Sequence, residues 1–200
     1  MRIDLEHLHY WIHAIRTSDD PTRVMDSMWR GQVSSKEWVV NKLTDILNKQ
    51  EDISIDIFGG WTGILSSMLF QSDFDITSIR SIDIDPTCKR TAEEINRVEY
   101  SKGMFQAITS DMCSIYSLAD VAINTSCEHI TQDQYDSWLD KIPGDALVVL
   151  QSNNYEIKEH VRISRSLEEF THQSNLGSIT YAGELPLPLY NRYMIIGHKD

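Results

Sequence analysis

The spacing of hydrophobic positions changes several times along the chain, and each change marks an element. Leu5, Leu8, Ile12 and Ile15 recur at helical intervals with Trp11 beside them, which predicts an opening helix. Asp20-Pro21 then offers a cap and a first-turn proline ahead of Val24, Met25 and Met28. Ser34-Ser-Lys-Glu37 has the form of a capping box, and the helix it opens would bury Trp38, Leu43, Ile46 and Leu47. From Ile53 to Phe58 the pattern becomes a continuous apolar run of strand character. It ends in Gly59-Gly-Trp-Thr-Gly63, and Ile64, Leu65, Met68 and Leu69 at once resume a helical face. A second strand-like run, Ile79 to Ile84, closes on Asp83, Asp85 and Pro86.

Strand and helix alternate through the remainder. Asp85-Pro86 caps a predicted helix running through Tyr100, with Ala92, Ile95 and Val98 apolar. Strands follow at Met104 to Thr109, Ala119 to Asn124 and Ala146 to Leu150, the last after Pro143-Gly144. Thr131-Gln-Asp-Gln134 is a second capping box, leading a helix with Tyr135, Trp138 and Leu139. Ser166 caps a short helix that would pack Leu167 and Phe170. Ser178 to Leu185 and Tyr190 to Gly197 are strand-like runs whose connection is too short for a crossover helix, so they should pair as an antiparallel hairpin. Five strands interleaved with helices and then a hairpin predict an α/β fold: a mostly parallel seven-stranded sheet with an antiparallel edge. The expected organisation is a helical segment over residues 1–50, a brace or a lid, and an α/β domain over 51–200. No internal repeat or low-complexity stretch interrupts it.

Composition narrows the function classes. Two hundred residues suit one α/β domain with an appendage. Eighteen basic against 30 acidic residues give a net charge of −12, which argues against a broad phosphate-binding face and so against DNA, while leaving RNA open. Cys88, Cys113 and Cys127 are odd in number and form no C-x-x-C pair, the pattern of reduced thiols in a cytoplasmic protein. No apolar run approaches the roughly 20 residues of a membrane helix, and the first residues do not read as a signal peptide.

The candidate chemistry gathers at the predicted strand ends. Gly59, Gly60 and Gly63 can adopt positive φ and let a ligand approach the backbone. The helix that starts there would aim free N–H groups into the crevice. Asp83 follows Gly63 by 20 residues, the offset at which open α/β sheets place the acid that holds ribose hydroxyls. Asp83 and Asp85 are equally the residue type that caps the next helix. Tyr10, Trp11 and Trp29 are amphipathic aromatics that could cover a ligand. His9 and His13 share a helix face at i,i+4 spacing, but no third ligand accompanies them, so no metal is expected. Cys127, beside Glu128 and His129, reads as a small buried thiol.

Taken in order, the Gly-rich turn after strand one, Asp83 after strand two, Asp111 after strand three, Glu128-His129 after strand four and the terminal hairpin resemble the class I S-adenosylmethionine-dependent methyltransferases. The resemblance covers about residues 52 to 198 and implies a Rossmann-like fold with helices on both faces. It further implies S-adenosyl-L-methionine as cofactor, with Gly59, Gly60 and Gly63 passing under its methionine and ribose. Asp83 would then accept both ribose hydroxyls, Ile84 would lie on the adenine, Asp111 would accept its amine and Met112 would back the ring. Asn124 and Thr125 would face the methionine end, Asp56 would contact its amine, and Glu128 and His129 would border the acceptor as candidate catalytic groups. One departure stands out: the family usually spaces its acid and three glycines two apart, whereas here Phe58 follows Asp56 and Trp61 enters the turn. The activity implied is methyl transfer to a small molecule or a protein side chain. Related outcomes of the same fold are aminocarboxypropyl transfer, cofactor cleavage, or nucleoside binding without catalysis.

Overall fold

In a computed structural model, residues 3–47 and 50–199 are described. Among them, seven strands, β1 (Ile53–Phe58), β2 (Ile76–Asp83), β3 (Phe105–Thr109), β4 (Val121–Asn124), β5 (Leu147–Asn153), β6 (Ser178–Pro186) and β7 (Asn191–His198), form one mixed sheet in the order β3-β2-β1-β4-β5-β7-β6. Contacts divide the chain into two compact units, Met1–Asp111 and Met112–Asp200.

The first unit opens with α1 (Leu5–Thr17), α2 (Pro21–Asp26) and α3 (Arg30–Ile46). Asp20 caps α2 by accepting from the Arg23 N–H, with Pro21 in its first turn as expected. The apolar stripe predicted for α1 faces outward instead: Leu5, Leu8 and Ile12 are exposed, and burial falls on Trp11 and Ala14. The helix is seated by polar as well as apolar contacts. Trp11 Nε1 donates to Ser67 Oγ at 2.9 Å, and His7 Nε2 lies 2.9 Å from Glu99 Oε1. The Ser34–Glu37 segment lies inside α3, whose cap is Trp29 without a side-chain hydrogen bond. A helix that begins four residues early has no free N–H groups left there for a capping box to satisfy.

The sheet of this unit is β1 (Ile53–Phe58), β2 (Ile76–Asp83) and β3 (Phe105–Thr109), with β2 parallel to both neighbours. Ile55, Ile57, Phe58, Ile79 and Ile82 are buried, as strands covered on both faces require. Between the strands lie α4 (Ile64–Phe70), α5 (Pro86–Ile95) and α6 (Arg97–Ser101). The single helix predicted through Tyr100 breaks at Asn96, which is fully buried. Its side-chain amide donates to Ala92 O at 2.9 Å and to Gly63 O at 3.0 Å, so the break ties α5 to the turn after β1.

The second unit carries β4 (Val121–Asn124), α7 (Gln132–Leu139), β5 (Leu147–Asn153), α8 (Leu167–Gln173), β6 (Ser178–Pro186) and β7 (Asn191–His198). β4 and β5 are parallel, while β7 runs antiparallel to both β5 and β6. Thr131 and Gln134 form the predicted reciprocal cap of α7, and Ser166 caps α8. Strand β5 runs three residues past the predicted end at Leu150, and Gln151, Ser152 and Asn153 are buried although polar. Among the described residues, no helix is long and apolar enough to cross a membrane.

Candidate functional site

In the first unit the site is built from backbone. β1 delivers the chain into a turn in which Gly59, Trp61 and Gly63 all have positive φ, at 68°, 49° and 78°. Gly63 is obligatory twice over: besides its φ, a Cβ there would stand 2.6 Å from Asn96 Nδ2. Gly60 donates its N–H to Ile82 O at 3.0 Å, and an added Cβ would lie 2.0 Å from Ser81 Oγ. Gly60 therefore lets the turn lie flat on the end of β2, and Gly63 lets it lie against the end of α5. Trp61 pays for a left-handed backbone without glycine's freedom, which costs roughly 1–2 kcal/mol. Its N–H donates to Asp83 Oδ2 at 2.8 Å.

Asp83, at the tip of β2 and half-buried, is fixed from both sides. Oδ2 takes the Trp61 N–H, and Oδ1 takes the Asp85 N–H at 3.0 Å. A carboxylate oxygen can accept twice, so each retains a lone pair beyond its backbone donor. Ile84, next along, is 70% exposed, unusual for so large an apolar side chain at the end of a core strand. The Ser110 N–H donates to Asp83 O, bringing the end of β3 alongside, and Asp111 is exposed there.

Asp56 does something different from what the resemblance implies. It is 1% exposed, pairs in register with Arg80 across β1 and β2, and accepts from Arg80 Nε at 2.7 Å and Nη2 at 2.5 Å. Arg80, in turn, has its guanidinium pushed further up by that carboxylate. Asp56 is thus a structural ion pair within the sheet.

Beside the turn, a cavity of about 400 Å³ opens among α1, α2 and the start of α5, with Trp61 and Thr62 on its wall. Arg23 spans its edge, 2.6 Å from Asp85 Oδ2 and donating to Thr87 Oγ1 at 2.7 Å. The Thr87 hydroxyl and N–H, with Arg23, hold the Asp85 carboxyl down at about 2. Asp85 is also the N-cap of α5, the role its position suggested. Burial, with the Asp83 charge nearby, pushes the Cys88 thiol up to about 12, so it stays protonated. The proposed lid residues separate: Trp11 is a buried anchor, Tyr10 is half-buried and Trp29 is 73% exposed.

In the second unit the functional candidates are held by side chains. Asn124, buried at the end of β4, points its amide at Met112 Sδ at 3.7 Å and accepts from the Ser126 N–H. Cys127, Glu128 and His129 form one tight 3-10 turn. Cys127 is fully buried, and burial pushes its thiol up to about 12, as expected of an inert packing cysteine. Glu128 is 3% exposed; Oε1 accepts from Asn153 Nδ2 at 2.6 Å and lies 3.3 Å from Arg192 Nη1. Arg192 also donates to Gln151 Oε1 at 3.2 Å and to Thr125 O. His129 is exposed and stacks edge-to-face with His160, their ring centroids 4.7 Å apart. Asn153, His160 and Arg192 were not foreseen from the sequence. The only signal was the polar run Gln151-Ser-Asn-Asn154 after an apolar strand.

No family model matches the sequence, and no curated protein does. As a structure, the chain is similar to magnesium protoporphyrin IX methyltransferase (ChlM) from Synechocystis PCC 6803 with bound SAM. That likeness has a TM-score of 0.66 at 15% identity and spans 96% of this chain and 91% of that one. It is also similar to the pyocyanin biosynthetic protein PhzM, with a TM-score of 0.65 at 13% identity over 95% of this chain and 62% of that one. The mitomycin 7-O-methyltransferase MmcR matches with a TM-score of 0.64 at 13% identity, over 96% of this chain and 67% of that one. At identities this low the likeness shows the fold alone: the chain shares the Rossmann-like α/β architecture of these structures, a mostly parallel seven-stranded sheet with a C-terminal antiparallel hairpin.

Proposed function

We propose that the protein binds S-adenosyl-L-methionine at the turn after β1 and transfers its methyl group to a small-molecule acceptor. The observation that carries the reading is Asp83. Two backbone N–H groups orient its carboxylate, and one lone pair on each oxygen is left for a ligand at a half-exposed strand tip. That is the acceptor pattern a vicinal diol, such as a ribose, requires. Ile84 presents an exposed apolar surface beside it, suited to one face of a planar base, and Asp111 offers an acceptor for an exocyclic amine. Gly59, Gly60 and Gly63 bring no side chain of their own to the approach. Asp56 is left out of the cofactor contacts because its carboxylate is buried in the sheet against Arg80, out of reach of a ligand at the strand tips. Met112, Asn124 and Thr125 enter on the family resemblance alone.

When bound, the cofactor supplies an electrophilic methyl group on a sulfonium. What the chain must then supply is position and dryness, since holding a nucleophile in line with a carbon accounts for most of the acceleration in such a transfer. No dedicated base is required of Glu128 or His129. A small-molecule acceptor is favoured by the acidic total and by the names of similar structures, two of which are methyltransferases of small molecules.

Calorimetric titration with S-adenosylmethionine, S-adenosylhomocysteine and NAD tests the cofactor. The two sulfur compounds should bind in the micromolar range and NAD should not. Asp83→Ala should weaken binding by about 1–3 kcal/mol, the range for removing one partner of a buried hydrogen bond. Unchanged binding by Asp83→Ala would sink the assignment. Product analysis then separates the reactions: S-adenosylhomocysteine reports methyl transfer, whereas methylthioadenosine reports aminocarboxypropyl transfer or cleavage.

A further inference from the structure

Three side chains of the second unit converge on one point for which methyl transfer has no evident use. A carboxylate oxygen of Glu128 and a ring nitrogen from each of His129 and His160 all lie within 4.8 Å of one another. Glu128 and His129 share the 3-10 turn after β4, and His160 arrives on the loop that follows β5. That loop is fastened to the turn: the Val161 and Arg162 N–H groups both donate to Glu128 O, at 2.9 and 3.1 Å. Arg162 adds Nε to Cys127 O at 3.3 Å and Nη1 to Gln132 Oε1 at 2.6 Å. The convergence therefore follows from the packing of the loop rather than from two side chains that happen to swing together.

The hydrogen bonds around the three residues select a donor state. His129 Nδ1 is 3.2 Å from Glu159 O, and His160 Nδ1 is 2.7 Å from Tyr155 O. A carbonyl can only accept, so each Nδ1 carries the proton and each neutral ring keeps its lone pair on Nε2. Carbonyls in this outer position are the usual device for orienting a ligating imidazole. Glu128 completes the picture. Its Oε1 is occupied by Asn153 and Arg192, but Oε2 is buried and has no hydrogen-bond partner among the described residues. A buried carboxylate oxygen left bare is costly unless something positive meets it. Arg192 directs its other donors to Gln151 and Thr125 O.

We propose that Glu128, His129 and His160 bind one divalent transition-metal ion, with zinc the ion best suited to the set. Two neutral imidazoles and one carboxylate favour zinc-like ions over magnesium or calcium, which take oxygen donors. The Cys127 thiol is excluded from the set because it is buried and directed at Asn124 O, 3.5 Å away. Bonds of about 2.1 Å set tetrahedral ligands about 3.4 Å apart. The side chains must therefore close in from their present separations, which the exposed His129 and half-buried His160 can do by rotating. Three protein ligands leave a fourth position for water or a donor atom of a small molecule, the hallmark of a reactive rather than a purely structural zinc site.

The test is a titration of chelator-stripped full-length protein with Co²⁺ alone, whose visible absorption reports inner-sphere coordination, followed by competition with Zn²⁺. One equivalent should bind with the strong absorption of a four- or five-coordinate site, and Zn²⁺ should abolish it. His129→Ala and His160→Ala should each weaken binding at least tenfold, while the double substitution of His9 and His13 to Ala should bind as the wild type does. Glu128→Gln should weaken it similarly. Should that buried substitution fail to fold, the two histidine variants, whose side chains are more accessible, decide the matter. A wild type that does not bind Co²⁺, or histidine variants that bind it as tightly, would overturn the proposal. No S-adenosylmethionine is present, so the outcome stands apart from the methyl-transfer reading.

Discussion

Asp83 and Glu128 are both carboxylates at strand ends, yet the chain holds them in opposite ways. Asp83 rests on two backbone N–H groups from residues within 22 positions of it, and its side chain stays half-exposed. Glu128 is sealed off and held by Asn153 and Arg192, which are 25 and 64 residues away. Backbone donors come with the fold, so Asp83 is oriented once the turn forms. Side-chain donors must be assembled from separate segments, and each one removed leaves a buried charge exposed to its neighbours' absence. The first arrangement is robust and open to a ligand; the second is rigid and fragile.

The contrast can be broken most forcefully at Arg192. Arg192→Ala strands Glu128 in a buried site and should cost about 3–5 kcal/mol, read from the urea midpoint. Replacing Arg192 and Glu128 together with leucine should recover a large part of that loss, because no charge is then left without its partner. Equal costs for the single and double variants would contradict the buried-pair account. At the other site, Gly63→Ala meets both a left-handed backbone and the Asn96 amide, and should destabilise by about 2–4 kcal/mol.

A finer test sits at Trp61. Both Trp61→Ala and Trp61→Gly remove the ring, but only glycine tolerates φ of 49°, so the glycine variant should be more stable by about 1 kcal/mol. Indistinguishable melting of the two would mean the turn relaxes out of the left-handed region. The smallest effect is expected from pH. The folded Asp85 carboxyl lies near 2, below the ordinary aspartate value of about 3.9. A depressed pKa contributes stability that is present above the unfolded value and disappears as pH falls through the folded one. The Asp85 contribution should therefore vanish between about pH 4 and pH 2, and Asp85→Asn should flatten that limb of an acid titration monitored by circular dichroism.

The same contrast explains what the sequence could and could not reveal. The turn after β1 and Asp83 were legible because they depend on local signals: an apolar run, glycines, and an acid at a fixed offset. β1 itself has the expected limits, Ile53–Phe58. The Glu128 network was not legible, because nothing local to Asn153 or Arg192 announces a partner in another segment. Its trace was the polar end of β5, mistaken for the strand's termination because buried polar residues there are stabilised only by distant groups. Helix α1 failed for a related reason. Its stripe of Leu5, Leu8 and Ile12 has the right period, but Trp11 and Ala14 provide the seat, through the indole's hydrogen bond and a small side chain on the buried side. Periodicity identified the helix and chose the wrong face.

Asn96 has a consequence for motion. Its amide joins the carbonyl of Gly63 to that of Ala92, two backbone groups 29 residues apart, and water has no access to the junction. Opening the turn therefore means breaking the end of α5 as well, and fraying α5 means releasing the turn. In native-state hydrogen exchange the two should behave as a single cooperative unit, with amides of both segments becoming exchangeable at one common free energy.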